Sequence, residues 1–124
     1  MILGIGVDVV HVRRITHWLS VPGLPERFFH PDELASALSR GSGVALSLAA
    51  RFAAKEAFGK SIGIGAYCGV RLSDICVINN HNGKPDMRLY GSALEKFRAL
   101  GCSSIHLSLT HESDNAIAMV VLEA

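Results

Sequence analysis

The chain has 124 residues, enough for one domain and hardly two. With 49% apolar residues it has the material for a packed core, which excludes a disordered chain. A formal net charge of +1 excludes bulk electrostatic capture of nucleic acid, so any anion must be recognised locally.

In chain order, residues 2–10 (ILGIGVDVV) are β-branched, glycine-punctuated and alternating, the pattern of a strand. Leu3, Ile5, Val7 and Val9 fall on one face and Gly4, Gly6 and Asp8 on the other. The first residues lack the basic region of a signal peptide, and Asp8 interrupts their apolar run. No stretch approaches the roughly 20 apolar residues needed to cross a bilayer. The expectation is a soluble cytoplasmic protein with neither membrane nor nucleic acid as partner. Residues 11 to about 20 read as a short helix, broken by two prolines and a glycine between Val21 and Pro25. His30-Pro31-Asp32-Glu33 reads as a helix start, because proline is tolerated in the first turn and acids meet the positive dipole end. That helix should stop near Gly41-Ser42-Gly43. The longest helix follows from about Val44 to Ile62 and ends at Gly63 and Gly65.

Val70 to Asn79 reads as a strand, and Asn82-Gly83 is a turn signal leading to another near Met87 to Tyr90. Residues 91–100 form a helix closed by Gly101. Ser104 to Thr110 alternates with Ile105, Leu107 and Leu109 inward, and Ala116 to Leu122 returns after the polar turn Glu112 to Asn115. Cys68, Cys76 and Cys102 form no CxxC pair, which excludes a zinc knuckle or disulfide framework and leaves free thiols. The expected architecture is α+β, one domain over residues 1–124, with a mainly antiparallel sheet packed against the long helix.

That helix contains RFAAKEAFGK (51–60), in which one carboxylate, Glu56, stands among Arg51, Lys55 and Lys60. Glu56 and Lys60 are four apart and share a face; alone they make an ordinary pair worth about 0.2–0.5 kcal/mol. Asp8 adds to the pattern. A carboxylate late on a buried strand is expensive without a partner, and a lysine or a metal ion could serve. Two carboxylates from separate elements, with cations alongside, suit a hard divalent ion bridging protein and phosphate. Magnesium usually takes one or two carboxylates and completes its shell with water and phosphate oxygens. The bare face at Gly4 and Gly6 would let a bulky ligand lie close to the strand. GIGVDV is no Rossmann fingerprint, since the third glycine is missing and no strand-turn-helix follows in register.

GIGVDVVHVRRI (4–15) and RFAAKEAFGKSIGIG (51–65), with NGKP (82–85) and SLTHE (108–112), resemble the holo-acyl-carrier-protein synthases, the short bacterial type of 4′-phosphopantetheinyl transferase. The family pattern of G-x-D, an arginine six residues on, then F-x-x-K-E-A-x-x-K is met by Gly6-Val7-Asp8, by Arg14, and by Phe52 to Lys60. The resemblance runs nearly end to end. It implies the transferase fold and magnesium-dependent transfer of 4′-phosphopantetheine from coenzyme A to a serine of apo acyl carrier protein. That step belongs to fatty acid biosynthesis and releases adenosine 3′,5′-bisphosphate. The resemblance also implies Asp8 and Glu56 as magnesium ligands, and Lys60 as the lysine that contacts the phosphates and protonates or stabilises the leaving group.

Arg51, Lys60, Gly63, Gly65, His111 and the Asn82-Gly83-Lys84-Pro85 turn would hold coenzyme A, and Arg14 would meet the carrier protein. Copies would assemble as a homotrimer with active sites between chains. The base for the serine would be a metal-bound water or a carboxylate of the second helix, Glu33 or Asp32. Those acids have another reading, compensation of the helix dipole worth about 0.3–1 kcal/mol. His111 has one too, as a satisfied histidine at a loop end. Ser61 departs from the family's usual alanine, and Arg13, Arg14, His17 and Arg27 are fewer cations than many relatives use to meet their carrier. Two other functions fit the same residues: a non-catalytic coenzyme A- or nucleotide-binding module of this fold, and a metal-dependent phosphodiesterase that passes the group to water.

Overall fold

The alternating run Ile2–His11 forms strand β1, and Val12–Leu19 forms helix α1. The computed structural model describes residues 1–39, 41–63 and 69–124. Along them follow α2 (Leu24–Phe28), α3 (Pro31–Leu38), α4 (Val44–Ile62), β2 (Ile75–Asn79), β3 (Pro85–Leu89), α5 (Gly91–Ala99), β4 (Ser104–Glu112) and β5 (Asn115–Glu123). Strands β1, β5 and β4 form an antiparallel sheet in that order, and β2 and β3 form a separate antiparallel pair. The α+β class is as expected.

Several boundaries differ from the sequence reading for local reasons. Pro25 does not extend the break after α1; it stands in the first turn of α2, where its missing N–H costs no helical bond. Strand β2 begins at Ile75 rather than at Val70 because Leu72–Asp74 winds into a 3-10 turn. Strand β3 runs from Pro85 to Leu89 rather than from Met87, and the Tyr90 N–H already turns to the Asp74 carbonyl at 2.8 Å. The expected helix stop at Gly63 holds, with φ at +100°; Gly65 and Cys68 lie outside the described residues.

Helix α4 lies across the face of β1 that carries Gly4, Gly6 and Asp8. A Cβ at Gly4 would stand 2.0 Å from the Ser61 carbonyl oxygen, and one at Gly6 1.9 Å from that of Ala57. The match is geometric: four helical residues rise about 6 Å and two strand residues about 6.8 Å. The bare face therefore admits the helix and not a ligand, which corrects that expectation. Alanines at 49, 53, 54 and 57 allow the approach, and Leu48, Phe52 and Phe58 complete a helix buried through its middle. Val10, Ala116, Ala118, Val120 and Leu122 meet it from the sheet.

The opposite face of the sheet is open. Leu3, Ile5, Val7 and Val9 are exposed, Val9 to 57%, together with Ile117 and Met119 of β5. Ile5, Val121 and His106 make one row across that face, and Val7, Met119 and Ser108 the next.

Candidate active site

Asp8 pairs in register with Ala118, and Ala118 with Leu109; in the following row Val10 pairs with Ala116 and Ala116 with His111. Since side chains two apart share a face, Asp8 and His111 belong to the side of the sheet that α4 covers. They stand two strand spacings across the sheet and two residues along it, roughly 12 Å. Helix α4 adds Arg51, Glu56 and Lys60 along its length. Its step against β1 puts the turn containing Glu56 beyond Gly6, towards Asp8.

Helical side chains lean towards the N-terminus, and Lys60 leans back to Asp8. Its Nζ donates to Asp8 Oδ1 at 3.0 Å and to the Val7 carbonyl at 3.1 Å. The Asp8 side chain is 17% exposed and that of Lys60 56%. The partner a buried-strand carboxylate requires is thus the lysine in this state. Glu56 is half-buried and held by its own contacts. Among the described residues no three His, Cys, Asp or Glu side chains cluster as a metal cage. Two carboxylates from facing elements are instead the set magnesium takes when phosphate and water complete its shell. The donor chemistry fits an ion shared with a phosphate.

Further along α4 a cleft of about 480 Å³ opens between the helix, β2 and the end of β4, with Ser47, Arg51, Val77, Asn79, Thr110 and His111 among its walls. Arg51 is nearly buried. Its Nε donates to the Val77 carbonyl at 2.9 Å, Nη2 to Ser36 Oγ at 3.1 Å, and Nη1 to Ser47 Oγ and, at 3.4 Å, to the Ser47 carbonyl. Two hydroxyls and two carbonyls take up most of the five guanidinium donors, so Arg51 stands as a fixed positive charge at the cleft wall. Ser47 was findable in the sequence, four residues before Arg51 on one helix face. Ser36 comes from α3, and only tertiary structure pairs it with Arg51.

The Asn82-Gly83-Lys84-Pro85 turn closes the β2–β3 hairpin. Asn80 shapes it, its Oδ1 accepting from the Asn82 and Lys84 N–H groups at 2.9 and 3.0 Å, while Gly83 takes φ of +80°. Asn82, Gly83 and Lys84 are exposed and Pro85 half-buried, and the hairpin reaches the cleft through Asn79. Arg14 lies on the exposed side of α1, its guanidinium 5.4 Å from the Trp18 ring centroid and 5.2 Å from that of Phe52. Stacking holds such a group flat without consuming its hydrogen-bond donors.

Lys55 and Glu33 stand apart from this group. Both are fully buried, with Lys55 Nζ 2.7 Å from Glu33 Oε1. Lys55 also donates to the carbonyls of Leu72, at 2.8 Å, and Ile75. Glu33 Oε1 accepts the His30 N–H at 2.9 Å, closing a capping box at the start of α3, and Oε2 accepts the Val77 N–H at 2.9 Å. Burial pulls the Lys55 ammonium below its ordinary range, against the opposing pull of Glu33. Cys76 beside them has its thiol pushed up to about 11, chiefly by burial and then by Glu33, so it stays protonated. Arg51 and Lys55, two of the cations that flank Glu56 in the sequence, are therefore buried rather than solvated. Asp32, by contrast, is exposed at the first turn of α3.

The family model of the 4′-phosphopantetheinyl transferase superfamily matches residues 4–120. The chain is 51% identical over 123 residues to the holo-[acyl-carrier-protein] synthase of Treponema denticola, covering 99% of each. It superposes on the crystal structure of the Neisseria meningitidis holo-[acyl-carrier-protein] synthase with a TM-score of 0.89 at 33% identity, covering 100% of both chains. The corresponding Bacillus anthracis structure, a complex with CoA (3′,5′-ADP), gives 0.81 at 35% identity, covering 100% of this chain and 98% of that one.

Proposed function

The chain belongs to the 4′-phosphopantetheinyl transferase superfamily, and from that premise we propose that it is a holo-acyl-carrier-protein synthase, one transferase domain over residues 1–124. It moves 4′-phosphopantetheine from coenzyme A to a serine of apo acyl carrier protein. The serine oxygen bonds to the phosphorus that bears the pantetheine arm. The pyrophosphate P–O bond breaks, adenosine 3′,5′-bisphosphate leaves with the bridging oxygen, and the serine proton goes to solvent.

The observation that carries this reading is the meeting of Asp8 and Lys60 at the β1–α4 junction, with the Arg51 and His111 cleft on the same helix. Asp8 and Glu56 would hold magnesium, which when bound supplies positive charge to the pyrophosphate. Lys60 supplies an ammonium at the same junction for charge developing on the leaving 5′-phosphate. Arg51, His111, Gly63, Gly65 and the Asn82–Pro85 turn would receive the nucleotide end, and Arg14 an acidic group of the carrier. Glu33, sealed in its ion pair, takes a structural place in this reading rather than that of the base. The work left to the protein is positioning and electrostatics, which a sparse set of charged groups can do.

The open apolar face of β1 and β5 supports assembly with further copies, since a contiguous exposed apolar patch usually marks an interface. A homotrimer with active sites between chains is the form we assign. Among the described residues no helix is long and apolar enough to cross a membrane, and a place in cytoplasmic fatty acid biosynthesis completes the reading.

The test is mass spectrometry of apo acyl carrier protein incubated with the protein, coenzyme A and magnesium. The carrier should gain about 340 Da, the added phosphopantetheine group. Coenzyme A binding with no mass gain would leave a binding module. Cleaved coenzyme A beside an unmodified carrier would mean a phosphodiesterase.

A further inference from the structure

Strand β2 shows one edge to β3 and, among the described residues, the other to no strand. Buried backbone groups on such an edge need partners. Three charged side chains supply them: Lys55 Nζ donates to the Ile75 carbonyl, Glu33 Oε2 accepts from the Val77 N–H, and Arg51 Nε donates to the Val77 carbonyl. Helices α3 and α4 thus stand in for a neighbouring strand, through side chains.

A buried ion pair is a poor device for stability alone, because its desolvation cost often matches the Coulombic gain. Direction is what it offers over an apolar contact. Each bond here fixes one backbone atom of β2, two against α4 and one against α3. That strand walls the cleft with Val77 and Asn79 and leads into the Asn82–Pro85 turn, while α4 walls it with Ser47 and Arg51.

We propose that Glu33 and Lys55 are positioning residues, which hold β2 and Arg51 at the separation that fits the nucleotide end of coenzyme A without touching it. The inference rests on the reading of this cleft as the nucleotide subsite.

Adenosine 3′,5′-bisphosphate is titrated calorimetrically into wild type, Arg51→Ala, Glu33→Gln, Glu33→Asp, Lys55→Met and Lys55→Arg. Each protein is held well below its melting temperature and checked for fold by circular dichroism. Affinity should fall about tenfold in Glu33→Gln and Lys55→Met, with KM for coenzyme A rising in step. In both, kcat at saturating coenzyme A should stay within about twofold, and its pH profile should keep the wild-type shape. Lys55→Arg should recover most of the affinity. Glu33→Asp is the milder change, and its expected loss of about threefold keeps the test open should the other variants not fold.

Folded variants of both residues that bind like wild type, with only the melting temperature lowered, overturn the inference. So does loss of a limb from the kcat pH profile in Glu33→Gln, which would make Glu33 the base. Arg51→Ala separates the two readings. Wild-type affinity there removes the cleft reading and this inference with it. Weakened Arg51→Ala beside unchanged Glu33 and Lys55 variants overturns this inference alone.

Discussion

A methyl group at Gly6 would stand 1.9 Å from the Ala57 carbonyl oxygen, and both partners are backbone. Nothing there can rotate aside, so strand and helix must part, and with them Asp8 and Lys60. Gly6→Ala should cost about 3 kcal/mol or more, in the range of severe overpacking. Gly83 offers the contrast. Its φ is +80° but open space surrounds it, so Gly83→Ala should cost only about 1 kcal/mol of backbone strain. Urea midpoints at a constant slope measure both, and equal losses would remove the close approach of α4 as the feature that sets the site. The same residue shows where sequence reading stops. A strand with glycines on one face announces that something comes close; whether ligand or helix depends on what the rest of the chain brings there.

At the scale of elements, α4 was legible almost to the residue, because an alanine-rich run between glycines leaves little else for it to form. Strands β1, β4 and β5 were legible because alternation and side-chain burial obey the same period of two. Short elements were not. The five residues of α2 contain a proline that reads equally well as a break, and Leu72–Asp74, read as part of a strand, winds into a turn. At the candidate site, the spacing of Glu56 and Lys60 on one helix face is a sequence property, and so is the need of Asp8 for a partner, which Lys60 meets. The places of Glu33 and Lys55 were not legible, since their partners are backbone atoms of β2, and no spacing rule reports on those. Two of the charges expected near the phosphates or the serine are instead the means by which a two-stranded hairpin docks on a helix.

For the whole molecule, the proposed trimer turns on the open sheet face. Val7 and Met119 sit side by side on it, both exposed. Val7→Lys should leave a single chain's stability within about 0.5 kcal/mol, as surface changes do. It should also shift native mass from three chains to one and take transfer activity down with it. A wild-type protein that runs as one chain would contradict the expected trimer, and a variant that keeps the assembled mass would contradict this face as its interface. Transfer in the proposed reaction depends on Asp8, Glu56 and Lys60 acting as one phosphate-handling centre where β1 meets α4. The most direct test is the rate at which Glu56→Gln adds mass to apo acyl carrier protein, beside wild type at matched magnesium and with matching circular dichroism and melting temperature. The rate should fall by about a hundredfold or more, the scale of losing one group that stabilises transition-state charge. A well-folded Glu56→Gln that transfers at the wild-type rate would contradict that dependence.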